Sequence, residues 1–345
     1  MSLTRAIATG DLAELPSRRD EDWRWTDLRG LLRTLPAASP HSDAPIGPGP
    51  FDGLAGSDLI VVNGRGADRL VAVAGEPMVV ALRLVAAGDA GAHASRLKVM
   101  IGQSAELTLL ESYEGQDPDY VVETDIEFEV GPGASLERIV LAQDGSAAVS
   151  VSKAEVSLGA GARFRQTVVT FGARRQRHET SVDHRGGGAS AHLDGVYLLG
   201  GQRHADITTV VSHSGVDGLT DQLVKGVVAG QARGVFQGRI VVARGANRTD
   251  ARMGHHALVL SDRAEVDAKP ELEIYADDVA CAHGNTVGAL DEEALFYAAS
   301  RGIGADEARA MLIEAFVGEV IDRIGHAGAR ERVRDLVRDK LADLS

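Results

Sequence analysis

Cys281 is the only cysteine in this chain of 345 residues, and His283 follows it by two positions. On an extended strand, residues i and i+2 project from the same face, so the thiol and the imidazole should lie side by side. This donor pair suits a soft metal such as iron in a sulfur environment. One cysteine cannot hold an iron–sulfur cluster alone, because such clusters usually take four thiolates. We therefore expect most ligands of any such site to come from elsewhere.

The direction in which this pair points is a separate prediction. Val279 shares the face of Cys281 and His283, whereas Ala280 and Ala282 occupy the opposite face. Because the narrow interior of a β-coil accepts alanine readily, we expect the alanines inside and the Cys–His pair outside, facing a partner. The alternative is a buried structural thiol, since free cysteine often behaves as a small hydrophobe.

Composition and charge limit the classes of function. The net charge of −14 argues against nucleic acid or an anionic membrane as partner. A single cysteine forms no internal disulfide, the first residues lack a signal-peptide pattern, and no apolar run reaches the roughly 18 residues of a membrane span. We therefore expect a cytoplasmic protein. The 40 glycines and only 4% aromatic residues favour short strands and tight turns.

A repeated turn predicts the architecture of the central region. A glycine followed three residues later by alanine recurs at Gly102, Gly131, Gly159 and Gly186, between short apolar runs. A period of under 30 residues with β-type units indicates stacked coils, as in a parallel β-helix. A β-sandwich is the competing interpretation. We assign 59–288 to this mainly β core.

Helical and linker patterns flank the core. Leucines spaced by three and four predict helix in 1–35, where Trp23 and Trp25 are expected to anchor the region to the core. Five prolines make 36–58 an extended linker. Residues 289–345 switch to helical periodicity, with Asp291 as first N-cap and with apolar stripes expected to pack on the core. The last of three predicted helices covers 329–344.

Other polar motifs receive simpler interpretations. We expect the histidines of the core to be solvated or hydrogen-bonded, and they are His178, His184, His192, His204, His213, His255 and His256. The basic run 173–178 and the glycines at 186–188 are interpreted as solvated loop, because no phosphate-loop or dinucleotide fingerprint accompanies them. Asp277 and Asp278 are expected in a turn or in solvent, and not as iron ligands.

The region around Cys281 resembles a known family. Residues 270–275, the Asp-Asp-Val at 277–279, Cys-Ala-His-Gly at 281–284, Thr-Val-Gly at 286–288 and the acidic-to-aromatic run 291–297 are similar to the C-terminal signature of SufD proteins in the SufB/SufD family. The Trp-containing stretch 17–28 resembles an N-terminal motif of the same proteins.

The resemblance carries several expectations. It implies a right-handed parallel β-helix and a non-catalytic scaffold that pairs with a SufB-like subunit and a SufC-like ATPase of the ABC type. Cys281 and His283 would then lie at the scaffold interface, where a transient iron–sulfur cluster shared with the partner forms, and no cofactor would stay bound to this chain alone. The ATPase would dock on 289–345, and we assign Glu293, Phe296, Tyr297 and Arg301 to that surface.

Two alternatives come from other classes. A β-helix enzyme acting on carbohydrate would need paired carboxylates along a groove with aromatic platforms, and the scarcity of aromatic residues counts against it. A purely structural homodimer without a metal role is the other, and a homodimer of the isolated chain is compatible with either reading.

Overall fold

The computed structural model describes residues 2–42, 45–116 and 118–341. Its strands, in chain order, are β1 (Ser57–Val62), β2 (Arg65–Gly66), β3 (Arg69–Ala72), β4 (Met78–Ala86), β5 (Ala92–Ile101), β6 (Glu106–Gly115), β7 (Val121–Val130), β8 (Ser135–Gln143), β9 (Val149–Leu158), β10 (Arg163–Thr170), β11 (Arg175–His184), β12 (Ser190–Leu199), β13 (His204–His213), β14 (Leu219–Val228), β15 (Arg233–Val242), β16 (Thr249–Val259), β17 (Glu265–Ile274) and β18 (Val279–Gly288). The helices are α1 (Leu3–Thr9), α2 (Glu292–Ser300), α3 (Ala305–Ile321) and α4 (Ala327–Leu341), with 3₁₀ turns at Leu12–Glu14 and Glu21–Trp23.

These strands form two facing sheets. One sheet has ten strands in the order β18-β16-β14-β12-β10-β8-β6-β4-β1-β2, and the other has eight in the order β17-β15-β13-β11-β9-β7-β5-β3. From β3 onwards, each strand pairs in parallel with the strand two places further along the chain. The chain therefore coils between the sheets. The predicted parallel β-helix is confirmed, and the β-sandwich is excluded because its strands would be antiparallel.

The repeated glycines form a column in which consecutive coils touch. A Cβ atom on Gly131 would lie 2.9 Å from backbone atoms of the preceding coil, and one on Gly159 would lie 2.8 Å from the nitrogen of Pro132. A Cβ on Gly186 would lie 2.1 Å from the nitrogen of Ala160. Only glycine allows this backbone approach, so the sequence period reports the stacking of the coils.

Apolar side chains pack in three layers. The lumen between the sheets holds residues such as Phe164 and Phe236. A second layer lies between the ten-stranded sheet and the inner faces of α3 and α4, for example Val317 and Val333. A third lies between the eight-stranded sheet and the N-terminal region, around Leu28. The C-terminal helices and the N-terminal region thus cover opposite outer faces.

The N-terminal region is less helical than predicted. Only α1 and the two 3₁₀ turns are helical, and the stretch around Leu28 to Leu35 forms turns instead. Leu28 is buried, and its backbone N–H donates to the carbonyl of Pro16. Its leucines therefore anchor an irregular chain, which leucine spacing alone cannot distinguish from a helix. The expected tryptophan anchor is present, because the Arg177 guanidinium lies 4.5 Å from the Trp23 ring centroid.

The described part of the proline-rich segment lies against the β-helix. Phe51 is 2% exposed in the layer beneath α3 and α4, and Pro50 accepts a hydrogen bond from Arg332. Ala38 forms a parallel bridge with Ala92 at the start of β5. These contacts attach the linker at both ends of its length.

The positions of the C-terminal helices along the chain match the prediction. The Asp291 side chain accepts hydrogen bonds from the backbone of Glu293 and Ala294, as expected of the N-cap of α2. Gly302 follows that helix in the left-handed conformation. The third predicted helix corresponds to α4, and residues 342–344 of that prediction lie outside the described residues. In the described ranges, no helix combines the length and apolarity needed to cross a bilayer.

Candidate metal and partner site at the open end of the β-helix

Cys281 and His283 lie on β18, the outermost strand of the ten-stranded sheet. In-register pairing places Cys281 beside Ala251 and His283 beside Met253. Since Ala251 and Met253 are buried in the lumen, the pair continues two inward-facing columns. The prediction that the two side chains share a face is consistent with this register.

The predicted direction was wrong. Ala280 and Ala282 are exposed, whereas Cys281 is half-buried and packs against the lumen core with Val279. Parallel stacking fixes which residues point inwards, and the size of the neighbouring alanines does not override it. Because no further coil covers β18 in the described residues, a side chain can point into the lumen and still be reached from the end, and His283 is exposed there.

The environment of Cys281 favours the protonated thiol. Partial burial raises the pKa of Cys281, and the Asp250 carboxylate adds to that increase, while a hydrogen bond with the Ala251 backbone opposes it. Because metals bind the thiolate, a metal ion at this position must displace a proton. Cys281 in the free chain is therefore a protonated thiol and not a reactive thiolate nucleophile.

The pair does not form a complete metal site by itself. In residues 2–42, 45–116 and 118–341, no group of three or more His, Cys, Asp or Glu side chains is arranged to hold a metal ion. Asp277 and Asp278 are exposed. The arrangement can supply one sulfur and one nitrogen donor to a metal whose other ligands come from outside.

Two long strands form the edges of this end. β17 and β18 each have ten residues and are the last strands of their sheets, and nothing in the described residues pairs with their outer sides. An uncovered edge strand presents unpaired backbone N–H and C=O groups, which favours pairing with another chain. The Cys281–His283 pair thus lies on a surface suited to association.

Helix α2 follows this edge and buries no residue. Phe296 is 78% and Tyr297 60% exposed, so the expectation that the apolar stripes of 289–345 pack on the core was wrong for this helix. Of the four residues assigned to a partner surface, Glu293, Phe296 and Tyr297 line one shallow groove. Arg301 lies outside the lining of that groove but donates to the Tyr297 hydroxyl at 3.1 Å. The structure therefore brings the four together on one exposed helix.

Most core histidines are buried, and none of the buried ones is solvated. His178, His184, His204, His213 and His255 are at most 3% exposed. Burial lowers the pKa of each, to about 3 for His178, His184 and His204 and about 4 for His213 and His255. All five are hydrogen-bonded, for example His178 to the Ser152 hydroxyl at 2.6 Å and His213 to Thr220 at 2.9 Å.

The basic run 173–178 was wrongly expected to be a solvated loop. It begins β11, and Arg177 is buried with its guanidinium 2.8 Å from the Asp206 carboxylate. Asn285, the next inward position of β18 after Cys281 and His283, was not among the predicted site residues. The signal for Asn285 was its position two residues after His283, which itself lies two residues after Cys281.

Comparison with known proteins supplies a family. Residues 84–316 match the family model described as "SUF system FeS cluster assembly, SufBD core domain". An iron–sulfur cluster assembly SufBD family protein of Synechocystis is 31% identical over 70% of this chain. The iron–sulfur cluster assembly protein SufD of Escherichia coli is 31% identical, also over 70% of this chain.

The extent of these matches differs. The matched region spans 55% of the length of the Synechocystis protein and 57% of the Escherichia coli protein. An iron–sulfur cluster assembly SufBD family protein of Mycobacterium leprae is 28% identical, with 96% of this chain and 92% of that protein covered. The similarity therefore extends beyond the β-helix in at least one relative.

Proposed function

Because the chain belongs to the SufB/SufD family of iron–sulfur cluster assembly proteins, we propose that it is a non-catalytic scaffold subunit on which a nascent iron–sulfur cluster forms. The observation that carries the proposal is the position of Cys281 and His283. They are two of the inward-facing residues of the last strand, at an end of the β-helix that no further coil covers in the part of the chain that the structure describes. Two donors at an open edge suit a site shared between two subunits.

The first proposed partner is a SufB-like subunit that binds the edges of β17 and β18. Backbone pairing along two ten-residue strands would supply affinity, and the partner would bring the remaining thiolate or carboxylate ligands. The half-exposed Val287 and Ile274 at this end are then covered. A second copy of this chain could use the same edges in the absence of that partner.

The second proposed partner is a SufC-like ATPase that binds α2. Exposed aromatic residues with a nearby arginine are typical of residues that dominate binding energy at interfaces. Phe296, Tyr297 and Arg301 provide this combination on a helix that contributes nothing to the core. The helix is therefore available for a partner without cost to the fold.

The chemistry of the chain itself is limited to binding. Iron and sulfide are the cargo of the scaffold. The Cys281 thiol would lose its proton when iron binds, and the His283 imidazole would add a nitrogen ligand. Burial beneath the partner would exclude water from the cluster. No step in this scheme asks the chain to make or break a covalent bond of a substrate.

Anaerobic co-purification tests the proposal. The tagged chain is isolated from its native cells, and iron and acid-labile sulfide are assayed on the complex. We expect an ATPase and a homologous subunit to co-elute, with iron reduced in Cys281→Ser and in His283→Ala. His256→Ala is the matched control, because His256 is a half-buried histidine on the outer face of the neighbouring strand.

The outcomes separate the parts of the proposal. Iron retained at the level of the unmodified chain in both Cys281→Ser and His283→Ala would refute the site while leaving the scaffold role. Elution of the chain without either subunit would refute the scaffold role. A stable homodimer without iron would favour the structural alternative.

A further inference from the structure

Asn285 is the next inward-facing residue of β18 after Cys281 and His283. Inward positions on one strand are about 7 Å apart, two residues at about 3.3 Å each. Cys281 and Asn285 therefore flank His283 on either side along the strand. Asn285 is exposed at the open end of the lumen, but its Oδ1 atom lies 2.7 Å from Nδ1 of the buried His255.

His255 connects Asn285 to a second buried group. Its Nε2 atom lies 2.9 Å from the hydroxyl of Tyr197, on β12. Its ring also stacks on Phe236, with centroids 4.9 Å apart and an angle of 12° between the planes. Hydrogen bonds at both nitrogens and a stacked face leave the imidazole one orientation.

The surrounding backbone leaves room for this arrangement. Tyr197 reaches His255 across the intervening strand β14 by passing over Gly226. A Cβ atom on Gly226 would lie 1.8 Å from the tyrosine ring, and one on Gly234 would lie 2.3 Å from it. Two glycines, one on each sheet, thus leave the space that the Tyr197 ring occupies, as expected of a specific contact.

Which atoms donate and which accept in these two hydrogen bonds follows from the neutral state of His255. Burial keeps its pKa near 4, so at neutral pH the ring carries one N–H. Because the group at Nδ1 is an amide oxygen, Nδ1 donates and Nε2 must accept from the Tyr197 hydroxyl. The Oδ1 atom of Asn285 therefore points inwards and accepts the hydrogen bond from His255. Its Nδ2 amide group has no partner in the described residues.

We propose that Asn285 is a further functional residue of the Cys281–His283 site, whose Nδ2 donates a hydrogen bond to an anionic sulfur ligand bound there. The inference rests on the proposed function and names the ligand class, sulfide or thiolate sulfur. Hydrogen bonds from N–H groups to such sulfur stabilise its negative charge and tune an iron–sulfur cluster. His255 and Tyr197 are positioning residues, because they fix which end of the amide faces the ligand.

Two substitutions of Asn285 distinguish this role from a structural one. Asn285→Asp keeps an oxygen for the His255 Nδ1 proton but replaces the outward donor with a second oxygen. Asn285→Ala removes both groups. A residue that only supports His255 would tolerate Asp and not Ala, whereas a donor to anionic sulfur is lost in both, and Asp adds repulsion.

The first test uses the co-purified complex, loaded anaerobically with ferrous iron and sulfide. We expect iron affinity to fall about tenfold in Asn285→Ala, the lower end of the effect of an outer-shell partner, and at least as far in Asn285→Asp. Resonance Raman spectra of the loaded complex should show Fe–S bands that shift in deuterated buffer, and this shift should decrease in both variants. Affinity and isotope shift unchanged in Asn285→Asp would overturn the inference.

Cys281→Ser keeps this failure distinct from failure of the proposed function. Loss of iron in Cys281→Ser with full retention in Asn285→Asp refutes only the role of Asn285. Retention of iron in Cys281→Ser refutes the site and the inference with it.

The second test needs no cluster. In the isolated chain, long-range ¹H–¹⁵N NMR of the His255 ring should show the proton on Nδ1. Tyr197→Phe removes only the hydroxyl, so the preference for this tautomer should weaken while the fold is kept. A proton on Nε2 in the unmodified chain would mean that Asn285 presents its oxygen outwards, and would overturn the proposed donor.

Discussion

The two ends of the β-helix are built differently. At the N-terminal end, the edge of the ten-stranded sheet is closed by the antiparallel two-residue strand β2, and the edge of the other sheet is the four-residue strand β3. Residues 37–39 add backbone hydrogen bonds at Ala92. At the C-terminal end, β17 and β18 run for ten residues each, and no other described segment pairs with their outer sides.

This difference supports the proposal that the C-terminal end is the one used for association. Short strands, a reversed strand and a covering segment are the devices by which proteins prevent edge-to-edge pairing. In the described residues these three devices occur at the N-terminal end only, while the C-terminal edge has Pro270 on β17 as its one position without a backbone N–H donor. The end without them also holds Cys281 and His283, and it precedes the helix with the exposed Phe296 and Tyr297. The following predictions distinguish the C-terminal end from the rest of the molecule.

Acid should destabilise the part of the β-helix that holds the five buried histidines. The folded-state pKa values of five buried histidines lie below the unfolded value near 6.5, so the unfolded chain binds the extra protons. Stability is then fully present above pH 6.5 and is lost as pH falls towards 4. At pH 5 the cost is about 2 kcal/mol for each histidine.

Denaturant unfolding between pH 7 and pH 5 measures this loss. A free energy of unfolding that stays constant over this range would contradict the burial of neutral histidines.

The same substitution at two phenylalanines should have opposite consequences. Phe51→Ala opens a cavity beneath α3 and α4, and we expect it to lower the free energy of unfolding by about 3–5 kcal/mol. Phe296→Ala changes an exposed side chain, so stability should stay within about 0.5 kcal/mol while binding of the ATPase weakens. If Phe296→Ala destabilised the chain as much as Phe51→Ala, α2 would be part of the core.

A charge at the open edge should affect binding and not folding. Val287 is half-exposed on β18, and Val287→Lys would bury an unpaired charge under a partner there. We expect binding of the homologous subunit to weaken more than about tenfold, with an unchanged unfolding transition. Ala282→Lys, on the outer face of the same strand, is the matched control and should have the smaller effect in a binding titration.

The smallest expected effect is on the reactivity of the Cys281 thiol. Partial burial raises the pKa of its thiol, so alkylation by iodoacetamide should be slower than for a free thiol and its rate should rise at higher pH than usual. The same cysteine in the denatured chain is the internal control. If the alkylation rate of the folded chain rose with a pH midpoint below that of the denatured chain, the folded state would stabilise the thiolate. This outcome would contradict the prediction.

The sequence was sufficient for the β-helix because the repeat has a direct structural cause. Gly131, Gly159 and Gly186 recur wherever one coil touches the next, and no other residue fits there. The N-cap at Asp291 was equally predictable, since its side chain bonds only to residues two and three positions later.

The misplaced features depend on distant partners. The direction of Cys281 is set by the register with Ala251, 30 residues earlier, and not by the size of its neighbours. The contact of Asn285 with Tyr197 through His255 joins three strands, so spacing along the chain does not reveal it. Arg177 was assigned to a loop because its acceptor Asp206 lies on another coil.

Hydrogen exchange, resolved by strand, tests most directly whether the open end binds the partner. The free chain and its complex with the homologous subunit are compared at equal pH and temperature. We expect amides of β17 and β18 to become protected on assembly, while β2, β3 and residues 37–39 exchange as before. Protection of the N-terminal end with unchanged exchange in β17 and β18 would contradict it.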